Sequence, residues 1–220
     1  MTPPAARPPP TSTPPATKAD ALRAVRSAMV LQAALWLPQR GMAAVNLIEV
    51  ARAVQAPRGS IYHYFPGGRD QLLHEALSLA GQSGLRMIDK AARQSTTPQA
   101  LVQALFNAAH RQTTSPQWAS GCPVGAALLS SDTENETFAQ LLPTILASWH
   151  TALTNAFVAL GCPSDAQARH WARCTLIAYE GALVCAKGMA TPAEAASVLT
   201  SAEQMVQALL AAAPASTDQP

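Results

Sequence analysis

The sequence predicts an all-α protein, and three observations carry that expectation. Alanine, the strongest helix former, contributes 46 of the 220 residues, whereas aromatic residues make up 5% of the chain. Apolar residues recur three and four positions apart rather than alternating, which is the period of a helix and not of a strand. Helix-start signals also punctuate the chain at Thr97-Pro98, Thr133-x-x-Glu136, Ser164-x-x-Gln167 and Thr191-Pro192-x-Glu194. The chain is 49% hydrophobic and 13% charged, against a usual charged share of roughly 25%, so disorder over its whole length is excluded. A chain of this size buries roughly 70% of its surface without help from disulfides.

Residues 1–16 (MTPPAARPPPTSTPPA) hold 7 of the 18 prolines and read as a disordered, polyproline-type tail. From 17 to 39, Leu22, Val25, Met29, Ala33 and Trp36 share a helix face, and Gly41 supplies the stop. Asn46 is a good N-cap for a short second helix whose Val50, Ala51 and Val54 face one way. Pro57 stands where a first helical residue would, so the third helix runs from Arg58 to about Tyr64. Phe65-Pro66-Gly67-Gly68 is a turn by composition. A fourth helix opens near Arg69, with Leu72, Leu73, Ala76 and Leu77 inward. The last two helices, about 164–189 and 192–212, are nearly uncharged within, and the second bears Val198, Leu199, Met205, Val206, Leu209 and Leu210. Beyond Ala213 the chain is polar, as in a frayed tail.

The net charge of +2 is unevenly placed: residues 1–90 hold ten Lys+Arg against five Asp+Glu, and residues 91–220 hold five against eight. A basic part that meets a polyanion, joined to a part with another task, fits that split; so does chance scatter in a weakly charged chain. Cys122, Cys162, Cys174 and Cys185 form no C-x-x-C pair. They read as buried thiols in a reducing cytoplasm. No apolar leader opens the chain, and the uncharged stretch 141–160 is interrupted by Pro143, Thr144, Ser148, His150, Thr151 and Asn155. That pattern belongs to a buried helix and not to a membrane span. No metal and no other cofactor is expected.

The stretch from Gly41 to Leu77, GMAAVNLIEVARAVQAPRGSIYHYFPGGRDQLLHEAL, is the most specific part of the sequence. Two short helices meet at a tight turn, and the second opens with Arg58-Gly59-Ser60. A helix that enters the major groove needs donors near its N-terminus, small residues for close approach and flanking groups that grip phosphate. Arg58 suits a bidentate contact to a guanine edge or a phosphate pair, and Gly59 lets the backbone approach. Ser60, Tyr62, His63 and Tyr64 add hydroxyl, ring and imidazole groups.

On these residues the segment resembles the N-terminal helix-turn-helix of the TetR/AcrR family of transcriptional repressors. Gly41, Asn46, Val50-Ala51, Arg58-Gly59-Ser60-Ile61-Tyr62-His63-Tyr64-Phe65 and Leu72 fall on the family pattern. The extra glycine in Phe-Pro-Gly-Gly-Arg-Asp-Gln-Leu and the later Gly121-Cys122-Pro123-Val124 are similar to the LmrA/YxaF-like branch. The resemblance implies a three-helix DNA-binding domain over 17–80 and a helical ligand-binding and dimerisation domain over 81–213, with a tail at 214–220. It implies a cytoplasmic homodimer that represses at a palindromic double-stranded DNA operator and is released by a small effector. The DNA-contacting set carried by the motif is Asn46, Arg58, Gly59, Ser60, Tyr62, His63, Tyr64 and Arg69.

Three positions depart from the family pattern. Val45 and Asn46 replace two threonines, so a hydroxyl contact to phosphate does not carry over. Gln55 replaces the turn glycine, at a cost if its φ is positive. Arg58 replaces lysine, keeping charge and changing base-reading geometry. Other roles remain open for individual residues. Ile61 and Phe65 belong to the core, Tyr62 divides between core and phosphate ligand, and His63 and Tyr64 between DNA contact and solvent. Arg69 fits both a phosphate grip and a solvated turn residue, while Arg23 and Arg26 read as a solvated face.

The remainder of the chain shows no G-x-S-x-G, no Gly-rich phosphate loop and no catalytic carboxylate pair, so an enzyme is not expected. Phe106, Trp118, Met87, Phe138, Trp149, Phe157, Trp171 and Tyr179 are spread over several helices, as in a packed core or as in the lining of an apolar cavity. Phe106, Trp118, Trp149 and Phe157 are the expected lining for an uncharged, small apolar or aromatic effector. Ala178, Gly181, Ala182 and Ala186 would let a partner helix approach, as in a four-helix dimer interface. The alternative reading is an all-α small-molecule binding protein whose helix-turn-helix no longer reads DNA.

Overall fold

The computed structural model describes residues 17–57, 61–113, 121–130 and 136–212, and among them the regular structure is entirely helical. The elements are α1 (Lys18–Arg40), α2 (Leu47–Ala53), α3 (Ile61–Tyr64), α4 (Gly68–Arg93), α5 (Pro98–Thr113), α6 (Pro123–Leu128), α7 (Glu136–Ala159), α8 (Asp165–Lys187) and α9 (Pro192–Ala211). Both expected tails, the Arg58-Gly59-Ser60 tripeptide, Trp118 and the Thr133 cap lie outside the described residues.

Local chemistry accounts for most helix boundaries. Thr17 and Asp20 form a reciprocal capping box at the start of α1, and Thr191 and Glu194 form the same arrangement at α9. Ser164 Oγ accepts from the Gln167 amide at the start of α8. Asn46 Oδ1 accepts from the amides of Ile48 (2.8 Å) and Glu49 (3.3 Å), so the expected cap of α2 is present. The end of α2 is a Schellman turn: the Ala56 amide bonds the Ala51 carbonyl at 2.8 Å and the Gln55 amide bonds the Arg52 carbonyl at 3.1 Å. That geometry places Gln55 at φ 56°, the left-handed region that glycine occupies without penalty.

α4 is the common element of the fold. Its Leu72, Leu73, Ala76 and Leu77 are fully buried where it packs on α1 and α2, and farther along it packs on α5, α6 and α7. It runs unbroken through position 80, where the two expected parts meet. α7 sits on α4, α8 on α7, and α9 closes over α8 and α5. The α4–α7 contact is close because of two glycines. A methyl at Gly84 would lie 2.5 Å from the Trp149 ring, and one at Gly81 would lie 3.0 Å from Ile145. Trp149 Nε1 donates to the Gly81 carbonyl at 2.8 Å, satisfying a buried donor on the neighbouring backbone. No described helix is long and apolar enough to cross a membrane.

Relief of the strained turn is measurable. Gln55→Gly removes a left-handed cost of about 1–2 kcal/mol and adds unfolded-chain entropy of about 0.5–1 kcal/mol. Urea denaturation of the variant is expected to show a net gain of up to about 1 kcal/mol.

Candidate functional site

α2 and α3 meet across the Gln55 turn and rest on α1 and α4. Ile61 and Phe65 turn inward, while Tyr62 is 68% exposed and His63 is exposed beside it. The outer face of the described part of α3 therefore carries a phenol and an imidazole, next in the chain to Arg58, Gly59 and Ser60.

Three expected DNA contacts receive different assignments. Tyr64 is 5% exposed and packs in the core with its ring edge toward His63, because it lies on the inner side of the helix that Tyr62 and His63 face away from. Arg69 is drawn to backbone carbonyls: Nε donates to Val45 at 3.1 Å and Nη2 to Met42 at 2.6 Å, with Asp70 at 3.5 Å. It ties α4 to the loop before α2 as a strut. The acceptor of Asn46 is committed to capping α2. Arg26, which reads in sequence as a solvated residue, is a second strut. It donates to the Tyr64 carbonyl at 3.2 Å, pairs with Glu75 at 2.5 Å and lies 5.0 Å over the Phe65 ring. Arg23 is exposed and meets Asp20.

A cavity of about 470 Å³ lies between α1, α4, α5, α6, α7 and α8. Leu31 and Leu35 of α1, Met87 of α4, Leu105 of α5 and Leu183 of α8 give it apolar walls, and the Trp149 indole forms one side. Trp149 is the expected aromatic that the structure brings to the cavity. Phe106 is fully buried edge-on against Tyr179 (5.5 Å between centroids), and Phe157 is fully buried edge-on against Trp171 (5.7 Å). Both stand behind the wall, in the core.

The lining also contains polar groups that sequence reasoning missed. Thr175, Tyr179 and Glu180 reach the cavity from α8, and Cys122 from the start of α6. Burial raises the Glu180 carboxyl above its ordinary range, against a smaller lowering by the Cys122 thiol. Burial, then the Glu180 charge, pushes Cys122 up to about 12. Tyr179 is raised by burial and then by the charges of Glu180 and Cys122, against a lowering by the Arg111 cation, and its hydroxyl approaches Met87 Sδ at 3.6 Å. The signal for Glu180 was available: it is the one formal charge in 174–186.

The cavity adjoins a link between α1 and α8. Lys187 Nζ, in the last turn of α8, donates to the Pro38 carbonyl of α1 at 2.6 Å. Gly121 lies beside this junction, with Pro38 and Lys187 about 4 Å from where its Cβ would be.

A helix-turn-helix mounted on α1 and α4 and joined to a helical body is the architecture of a helix-turn-helix transcription regulator. Comparison with known proteins makes the assignment particular. Residues 31–76 match the model of bacterial regulatory proteins of the tetR family, and 98–197 match the C-terminal domain of LmrA/YxaF-like transcriptional regulators. The HTH-type transcriptional regulator Rv0196 of Mycobacterium tuberculosis is 34% identical over 168 residues, 74% of this chain and 84% of the relative. A TetR regulator from Chloroflexus aurantiacus superposes with a TM-score of 0.71 at 19% identity, over 87% of this chain and 96% of the other. The TetR regulator CifR, solved as a cysteine mutant complexed with 26-bp operator DNA, superposes with a TM-score of 0.65 at 19% identity, over 81% and 94%. The chain belongs to the TetR family of transcription regulators, in its LmrA/YxaF-like branch.

The strut role of Arg69 has its own readout. Arg69→Met loses two charge-assisted bonds to carbonyls and is expected to lower stability by about 1–2 kcal/mol, after discounting for partial exposure. A phosphate ligand would instead leave the thermal midpoint unchanged while weakening DNA binding.

Proposed function

We propose that the protein is a ligand-responsive repressor that binds a palindromic operator as a homodimer and releases it when a small, mainly apolar or aromatic effector fills the cavity. The observation that carries this reading is the position of the cavity. Its walls come from α1 and α4, which support the helix-turn-helix, and from α8. The Lys187–Pro38 bond joins α8 to α1 beside it. An occupant that shifts α8 against α1 therefore shifts the DNA-reading head, and release follows if the effector prefers the DNA-incompetent arrangement.

Contact with DNA is assigned to Tyr62 and His63 on the outer face of α3, with Arg58, Gly59 and Ser60 reading or approaching base edges. The operator complex of CifR supports that orientation by likeness of fold. Homodimerisation is supported by the outward apolar face of α8 and α9: Ile177 is 65% exposed, Met205 is 70% exposed, and Gly181 leaves open space. Pairing these helices across a two-fold axis buries that surface in a four-helix bundle. It also sets two reading heads one DNA turn apart, roughly 34–36 Å. The working compartment in this reading is the cytoplasm.

Operator affinity is expected to fall steeply with salt, since phosphate neutralisation dominates it. Tyr62→Ala and His63→Ala each weaken operator binding with unchanged thermal midpoints, because both side chains lie outside the core. Arg58→Ala costs roughly 1–3 kcal/mol and relaxes specificity at one position per half-site. Fluorescence anisotropy on operator and scrambled duplexes checks all three; equal affinity for both duplexes in the unmodified protein supports the alternative of a binding protein that does not read DNA.

Assembly is tested separately. Ile177→Glu and Met205→Glu are expected to give monomers by light scattering, with weak operator binding. A dimer mass for both variants moves the interface off α8 and α9.

A further inference from the structure

The polar part of the cavity is built more specifically than an apolar effector requires. Thr175 is 1% exposed, lines the cavity and has no hydrogen-bond partner for its hydroxyl. Other helical hydroxyls in the protein settle onto their own backbone: those of Ser78, Ser83, Thr144, Thr154, Thr200 and Ser201 each donate to the carbonyl four residues earlier. Thr175 does not, so a buried hydroxyl is left for something else.

Glu180 stands on the same helix and the same cavity. Its Oε2 is buried with no hydrogen-bond partner. It occupies space that a side chain at position 125 would fill, since a Cβ on Gly125 would lie 2.8 Å from it. No ion pair to Glu180 is present among the described residues. Arg86, at the cavity edge, donates to Ser83 Oγ at 2.7 Å. The cavity thus offers a carboxylate that has the Cys122 thiol beside it and no cationic partner among the described residues, and a hydroxyl with no partner, in walls that are mostly apolar but also carry Tyr179, Gln112 and Arg86. An unpaired buried carboxylate is costly, and a ligand cation removes that cost in the way a protein cation would.

We propose that the effector is an organic cation: an apolar or aromatic body ending in a protonated amine, whose N–H groups donate to Glu180 and Thr175 while the body lies against Trp149. This rests on reading the cavity as the effector site, and it adds a charge that the composition of the chain did not call for. An alcohol in place of the amine loses the charge-assisted bond, and a carboxylate meets like charge at Glu180.

Three probes with one ring and different end groups test the proposal: 1-naphthylmethylamine, 1-naphthalenemethanol and 1-naphthoate, titrated into the full-length protein by calorimetry. The expected order is amine first, by about tenfold or more over the alcohol, with naphthoate weakest. Glu180→Gln brings amine and alcohol to within about twofold, and the near-isosteric Thr175→Val weakens the amine several-fold. Circular dichroism melting establishes that each variant is folded. Equal binding of amine and alcohol, a preference that survives Glu180→Gln, or no binding of any probe overturns the proposal. Operator release is measured in parallel. If the amine binds through Glu180 and operator affinity does not change, the cation site stands and the effector reading falls. If the alcohol releases the operator as well as the amine does, the effector reading stands and the cation site falls.

Discussion

The close approach of α7 to α4 is the constraint on which the remaining architecture depends. It exists because Gly81 and Gly84 present bare backbone where other residues would present a side chain, and Trp149 fills the space they leave. The indole's one donor is satisfied by the Gly81 carbonyl, so the ring is held by packing on its face and by a bond at its edge. With α7 seated there, α8 stacks on α7 and α9 on α8, and one side of the cavity is set. A larger residue at position 84 would push α7 outward and carry that stack with it.

The arginines of the head show how function depends on which charges are spoken for. Arg26 and Arg69 each spend their donors on carbonyls far away in sequence, 38 positions for Arg26 and 24 and 27 for Arg69. They fix α3 and the loop before α2 onto α1 and α4. What is left to face outward on α3 is Tyr62 and His63. In the proposed reading that face contacts DNA, and the residues that position it, Arg26 and Arg69, carry the same guanidinium as Arg58, the proposed reader.

That likeness explains which features were legible in the sequence. Caps were legible because they are local: Asn46, Ser164 and Thr191 act within three residues of themselves. The helix-turn-helix was legible as an ordered motif, and the position of the turn at Gln55 with it, whereas the left-handed φ of that residue was legible only as a condition. The fate of Arg26, Arg69 and Tyr64 was not legible, because a donor's choice between a phosphate and a carbonyl depends on which carbonyls tertiary packing brings near. The assignment of Phe106 and Phe157 to the cavity lining failed for a related reason. Phe106 and Phe157 have the same spacing whether they border empty space or stand one layer behind it, and a cavity is defined by atoms that are missing. Glu180 broke the apolar run of α8, yet a single acid on a long helix looks like a solvated residue until its neighbours are known.

The unbroken course of α4 has a mechanical consequence. Met87 borders the cavity and Leu72 lies under the helix-turn-helix, both on one rod. At a rise of 1.5 Å per residue the two are about 22 Å apart along the axis. A rod pivoting near its cavity end multiplies a small rotation by that length, so a tilt of about 5° displaces the far end by about 2 Å, several times the tolerance of a hydrogen bond. Nothing along the way has to unfold or change its partners. The body need only yield by an amount comparable to a side-chain adjustment for the outer face of α3 to be displaced by more than a hydrogen bond tolerates.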